Sequence, residues 1–163
     1  MKFEFQKVTD SNLIAPSISV ISFENNKIST SRLIRILNEK SVIPEYEKEI
    51  LKNRSDNKFS QKIRNLVSHK VLEKYNLATI TNNNIELNLY GKKIGKFINK
   101  NFINQNLIKI NNIIENPEYK KFLLMAKLNI NFDPIFFQKI NSLDFSLRTQ
   151  NVLKILNVKF VGD

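Results

Sequence analysis

A chain of 163 residues, 42% hydrophobic and 25% charged, is long enough for one ordinary domain or two small ones and too apolar for general disorder. Its formal charge of +11 and isoelectric point near 9.8 point to a polyanionic partner, with nucleic acid ahead of an anionic membrane surface. Cysteine is absent and His69 is the one histidine, which excludes disulfides, a thiolate nucleophile, Cys- or His-rich metal centres and an HNH-type nuclease.

No apolar run reaches the length of a membrane span, and MKFEFQKVTD has no basic region leading into an apolar core, so a cytoplasmic, nucleoid-associated protein without a membrane partner is expected. In residues 1–28, Phe3 and Phe5 flank Glu4, and Ser17 to Phe23 is apolar at every second position or better. Both runs read as short strands, the second ending in the turn Glu24-Asn25-Asn26-Lys27. A helix is predicted from Ser29–Ser31, whose hydroxyls can cap free N–H groups, through Leu33, Ile34 and Leu37 to about Lys40. Ser41 to Pro44 breaks it. Pro44 then stands early in a second helix carrying Tyr46, Ile50 and Leu51, with Glu45, Glu47 and Glu49 near its positive end.

A third helix is predicted over 57–75. Phe59, Ile63, Leu66, Val67 and Val71 recur at spacings of three and four and form one apolar stripe. On the other side Ser60, Gln61, Arg64, Asn65 and Ser68 share a polar face flanked by Lys58, Lys62, His69 and Lys70. Arginine can pair bidentately with guanine, asparagine and glutamine with adenine, and lysines can hold phosphates, so this face has the chemistry of a major-groove helix. Taken alone, such a helix is more often a merely solvated face. Three helices in succession, the last of them basic, favour a helix-turn-helix order instead.

Behind the third helix, Ala78 to Thr81 and Ile85 to Leu89 alternate and are joined by Asn82-Asn83-Asn84, which predicts a β-hairpin. A hairpin in that place is a wing, with Asn83 against the DNA backbone and Lys92 and Lys93 following as phosphate contacts. Residues 29–100 thus resemble winged-helix domains of the kind attached to restriction endonucleases and related defence proteins. The shared pattern is an arginine and an aspartate, then a phenylalanine, an arginine-asparagine pair and a serine-histidine step, here Arg54, Asp56, Phe59, Arg64-Asn65 and Ser68-His69. The resemblance adds Arg54 to the residues expected on DNA.

From Tyr90 to Asn131 the pattern is helical, and Asn116-Pro117 marks a new helix start. The last segment carries Phe132-Asp133-Pro134-Ile135, Ile140, Leu143, Ser146-Leu147-Arg148, Asn151, Leu153-Lys154, Val158 and Gly162-Asp163. In this order and without a gap, these residues resemble the beginning of the C-terminal domain of the RNA polymerase α-subunit. The resemblance implies a minor-groove role for Arg148, with Asn151 and Lys154 as neighbouring contacts. In that family further helices follow where this chain stops, so a fragment of a longer protein and a shortened domain reused for packing are both open readings.

The expected fold class is mainly α with a small β component, a winged helix-turn-helix plus a C-terminal helical segment. Strands in 1–28 pack on a winged-helix domain at 29–100, 101–131 form connecting or dimerisation helices, and 132–163 form the partial α-subunit-like segment. The expected function is binding of double-stranded DNA, as a transcription regulator or as the recognition module of a restriction or defence system, with no cofactor. Two alternatives stand beside it: a protein-interaction module contacting transcription machinery, and the recognition part of a nuclease whose catalytic domain lies elsewhere. The triplets Glu118-Tyr119-Lys120 and Glu45, Glu47, Lys48 carry half of a metal-nuclease signature, but lie on predicted helices without a partner aspartate, so no enzyme is expected.

Overall fold

The computed structural model describes residues 1–52, 56–130, 146 and 149–152. The chain divides into two compact units, Met1–Asn129 and Ile130–Asp163, and nearly all of the described residues fall in the first. That unit is mainly helical with two small sheets. The chain begins with strand β1 (Lys2–Glu4) and then helix α1 (Asp10–Phe23), capped by the Thr9 hydroxyl, which accepts from the Asn12 amide at 3.2 Å.

The strand expected over Ser17 to Phe23 is therefore helix. All nine residues from Leu13 to Ile21 are buried, so this segment has no solvent face whose periodicity could be read. Ser17 and Ser19 mimic the polar positions of a strand, yet both are fully buried, and the Ser19 hydroxyl donates to Asn99 Oδ1 at 2.6 Å across a helix contact.

A turn with Asn25 and Asn26 in the left-handed region (φ 56° and 67°) leads into strand β2 (Lys27–Ser29) and helix α2 (Thr30–Lys40). The Ser29 hydroxyl accepts from Arg32 N, as the hydroxyl run predicts, and Leu33, Ile34, Ile36 and Leu37 turn inward. Strand β3 (Ser41–Val42) follows, then helix α3, which is only four residues long (Glu45–Lys48). The predicted second helix stops early: Ile50 is 72% exposed and pairs instead with Asn57 in an isolated antiparallel bridge.

Helix α4 (Lys58–Ser68) and helix α5 (Val71–Lys74) replace the single helix expected over 57–75. Lys70 adopts φ 55° between them, and this left-handed residue ends one helix and redirects the next. Strands β4 (Ala78–Thr81) and β5 (Asn84–Leu87) form the predicted hairpin, with Asn82 and Asn83 at φ 47° and 62°, the signs a two-residue type I′ turn requires. Helix α6 (Leu89–Phe102), strand β6 (Leu107–Lys109), helix α7 (Ile110–Ile114) and helix α8 (Pro117–Lys127) complete the unit.

One sheet is antiparallel with order β2-β5-β4, pairing Ile85 with both Ile28 and Ile80. The other is parallel with order β3-β1-β6, so β1 sits between strands that begin about 40 and 105 residues later. Helix α1 packs against α2, α4, α6 and α7 and forms the centre of the core. Residues 1–28 supply the central helix of the first unit, and 101–129 pack within that same unit. Gly95 allows the close approach of α6 to α1, because a Cβ there would lie 2.6 Å from Ser22 Cβ. Gly95→Ala is expected to cost about 1–3 kcal/mol, read as a lower denaturation midpoint, and an unchanged midpoint would show that the two helices can separate freely.

In the second unit, the Ser146 hydroxyl accepts from Thr149 N at 3.3 Å, as expected of an N-cap, and 149–152 are helical. Asn151 and Val152 are exposed. Arg148, Lys154 and most of the segment resembling the α-subunit domain lie outside the described residues.

Candidate nucleic-acid interface

Helix α4 is seated by polar contacts at its N-terminus. Asn57 accepts from Ser60 N at 2.7 Å and donates to Asn38 Oδ1 at 3.2 Å, while Asn38 donates to Ser60 Oγ at 3.0 Å. This network fixes α4 against α2, and it corrects the place of Ser60, which is 6% exposed and faces α2 rather than outward. Phe59, Ile63, Leu66 and Val67 are buried as their spacing predicts.

Lys62 is 34% exposed along its side chain, but its ammonium turns inward. Its ammonium pairs with the carboxylate of Glu47, a fully buried side chain, and donates to Val8 O at 2.9 Å. A buried carboxylate needs a counter-charge, and Lys62 supplies it, so this lysine flanks the core rather than the polar stripe.

The stripe that remains outward is Gln61, Arg64, Asn65 and Ser68, spaced three and four apart. Gln61 Nε2 donates to Asn65 Oδ1 at 2.8 Å, and the Ser68 hydroxyl bonds back to Asn65 O at 3.4 Å. Arg64 Nη2 lies 2.9 Å from both carboxylate oxygens of Asp56, and Lys58 Nζ lies 2.6 Å from Glu49 Oε2. His69 and Lys70 are exposed at the end of the helix, Lys70 within 3.6 Å of Glu73. Arg54 lies outside the described residues.

The hairpin turn is tied to the start of α2. Asn83 O accepts from Thr30 N at 2.9 Å and from Thr30 Oγ1 at 3.0 Å. Ser29, Thr30, Ser31, Arg64 and Asn83 line one cleft of about 210 Å³, so the reading-helix candidate, the first turn of α2 and the hairpin tip meet at one place. The sequence marks Ser29–Ser31 only as caps. Hydroxyls at a helix start are the available signal for more, since a hydroxyl that caps a helix can also donate to an anion. Lys92, by contrast, lines a second cleft with Thr79, Thr81, Glu86, Leu87 and Asn88, and Lys93 follows it on α6, half-buried.

Among the described residues, no group of three histidine, cysteine, aspartate or glutamate side chains could hold a metal ion, and no helix is long and apolar enough to cross a membrane. The triplet Glu118-Tyr119-Lys120 falls in the first turn of α8, where Tyr119 is buried and its hydroxyl is pushed far above the usual phenol range by desolvation, with a smaller contribution from Tyr75. No protein-family model matches the chain, and no curated protein or solved structure matches it.

Proposed function

We propose that this chain is a double-stranded DNA-binding protein of winged-helix type that presents Gln61, Arg64, Asn65 and Ser68 of α4 to the major groove. The order α1-β2-α2-α4 and then the hairpin β4-β5, with the short elements β3 and α3 before α4 and α5 after it, and with β2 pairing the second strand of the hairpin, supports the winged-helix reading. The observation that carries the function is the convergence of Arg64, the start of α2 and the Asn82-Asn83 turn on one cleft. Base edges would meet the side-chain amides and the guanidinium, while phosphates on either side would meet the hydroxyls at the start of α2, the hairpin turn and Lys92 and Lys93. Arg148, with Asn151 and Lys154, enters as a proposed minor-groove contact through its resemblance to the α-subunit domain.

Fluorescence anisotropy with a random-duplex pool across a salt series, a single-stranded control and sequencing of retained duplexes tests this. A shared motif among retained duplexes is the expected outcome, and retention indifferent to sequence that vanishes at moderate salt would leave only the +11 charge at work. Arg64→Ala is expected to cost about 1–3 kcal/mol on the selected site and to relax preference at one base position, whereas equal losses on every sequence would remove it from base reading. Lys93→Ala is expected to weaken all duplexes alike and reduce the salt slope by about 1, and a loss confined to one sequence would contradict a phosphate role.

A further inference from the structure

Helix α4 carries three cations, Lys58, Lys62 and Arg64, and no carboxylate. Each is matched by a different acid from the segment between α2 and α4: Glu49 at 2.6 Å from Lys58, Glu47 against Lys62, and Asp56 at 2.9 Å from Arg64. Those acids are held in place by backbone. Leu51 N donates to Asp56 O at 2.9 Å, Lys58 N donates to Glu49 O at 3.0 Å, and Ile50 bridges to Asn57. Each cation of the helix proposed to read bases is thus compensated by an acid from outside it, within a protein of charge +11.

Resting on the DNA-reading proposal above, we infer that Glu49 and Asp56 are specificity-determining residues that withhold Lys58 and Arg64 from phosphate. Non-specific affinity comes from cations that displace counterions, and discrimination comes from directed hydrogen bonds to base edges. Among the described residues Asp56 is bonded to Nη2 of Arg64, and the Nε–H and Nη1 donors of the guanidinium can be directed at a base while its charge is compensated. Gln61, Asn65 and Ser68 then act among neutralised neighbours, and phosphate attraction is left to lysines on other elements. Glu47 stands apart, because its carboxylate is buried and its pairing with Lys62 belongs to folding.

The test compares the wild type with the double variant Glu49→Gln, Asp56→Asn, using anisotropy on a random 20-mer duplex and on a duplex retained from the selection, across a salt series. Each side chain is partly exposed, so both proteins are checked first for the same thermal transition, and Glu49→Gln alone serves if the double variant is unstable. Freeing two cations should steepen the slope of log K against log salt by about 1.8, or about 0.9 for the single variant. Binding of random duplex should tighten on the order of tenfold near 0.1 M salt, and the ratio between selected and random duplex should narrow by a similar factor. An unchanged or shallower slope, or an undiminished ratio, would overturn the inference while a wild type that still selects a motif leaves DNA reading intact. A wild type and variant that both fail to bind any duplex would overturn the two together, and the wild-type arm alone would show which had failed.

Discussion

Lys62→Ala is expected to lower the unfolding free energy by about 3–5 kcal/mol, because it strands a buried carboxylate. Glu47 is fully buried, one of its oxygens pairs with the Lys62 ammonium, and the other has no hydrogen-bond partner. Without the ammonium the charge at Glu47 loses its compensation, and a carboxylate removed from water is among the costliest groups to leave unpaired. Replacing both partners with apolar residues, Glu47→Leu together with Lys62→Met, should recover most of the loss. Tryptophan is absent, so urea denaturation followed by circular dichroism is the suitable measurement. A loss below about 1 kcal/mol would mean that Lys62 is effectively a surface cation, free for the phosphate role its place in the sequence suggests.

Phe59→Ala should be comparably severe, at about 3–5 kcal/mol, for an apolar reason. Phe59 is fully buried and meets Phe5 edge to face with ring centroids 5.6 Å apart, so it joins the start of α4 to the chain just after β1. Truncation leaves a cavity at that junction and removes the aromatic pair, and the surrounding helices can close it only in part. A thermal midpoint lower by about 10 °C is expected for a unit of this size. A drop of only a degree or two would show that α4 is held mainly by the Asn38, Asn57 and Ser60 hydrogen bonds. The two variants also separate stability from binding, since neither residue lies on the stripe of Gln61, Arg64, Asn65 and Ser68.

Several elements are legible because their signal is local. Ser29 capping α2, the Asn82-Asn83 turn, the Asn116-Pro117 start of α8 and the buried stripe of α4 all depend on side chains acting within a few residues of themselves. Helix α1 reads as a strand in the sequence because full burial removes the polar face that reveals a helical period, and its buried serines imitate strand alternation. The helix after Pro44 is shorter than its sequence suggests, since Ile50 and Leu51 imply an apolar face that the chain instead turns away from in the bridge to Asn57.

By itself the sequence determined the helical class, the basic charge, the apolar side of α4 and the hairpin behind it, since these follow from composition, spacing and turn chemistry. Which polar side chains of α4 face outward was a different matter. Ser60 and Lys62 are of the same chemical types as residues that stay on the surface, and their direction depends on Asn38 and Glu47, which arrive from α2 and α3. Likewise, only the folded chain sets β1 between β3 and β6 and brings Ser29–Ser31, Arg64 and Asn83 to one cleft. Those arrangements come from contacts distant in sequence, where burial and charge compensation outweigh local preference.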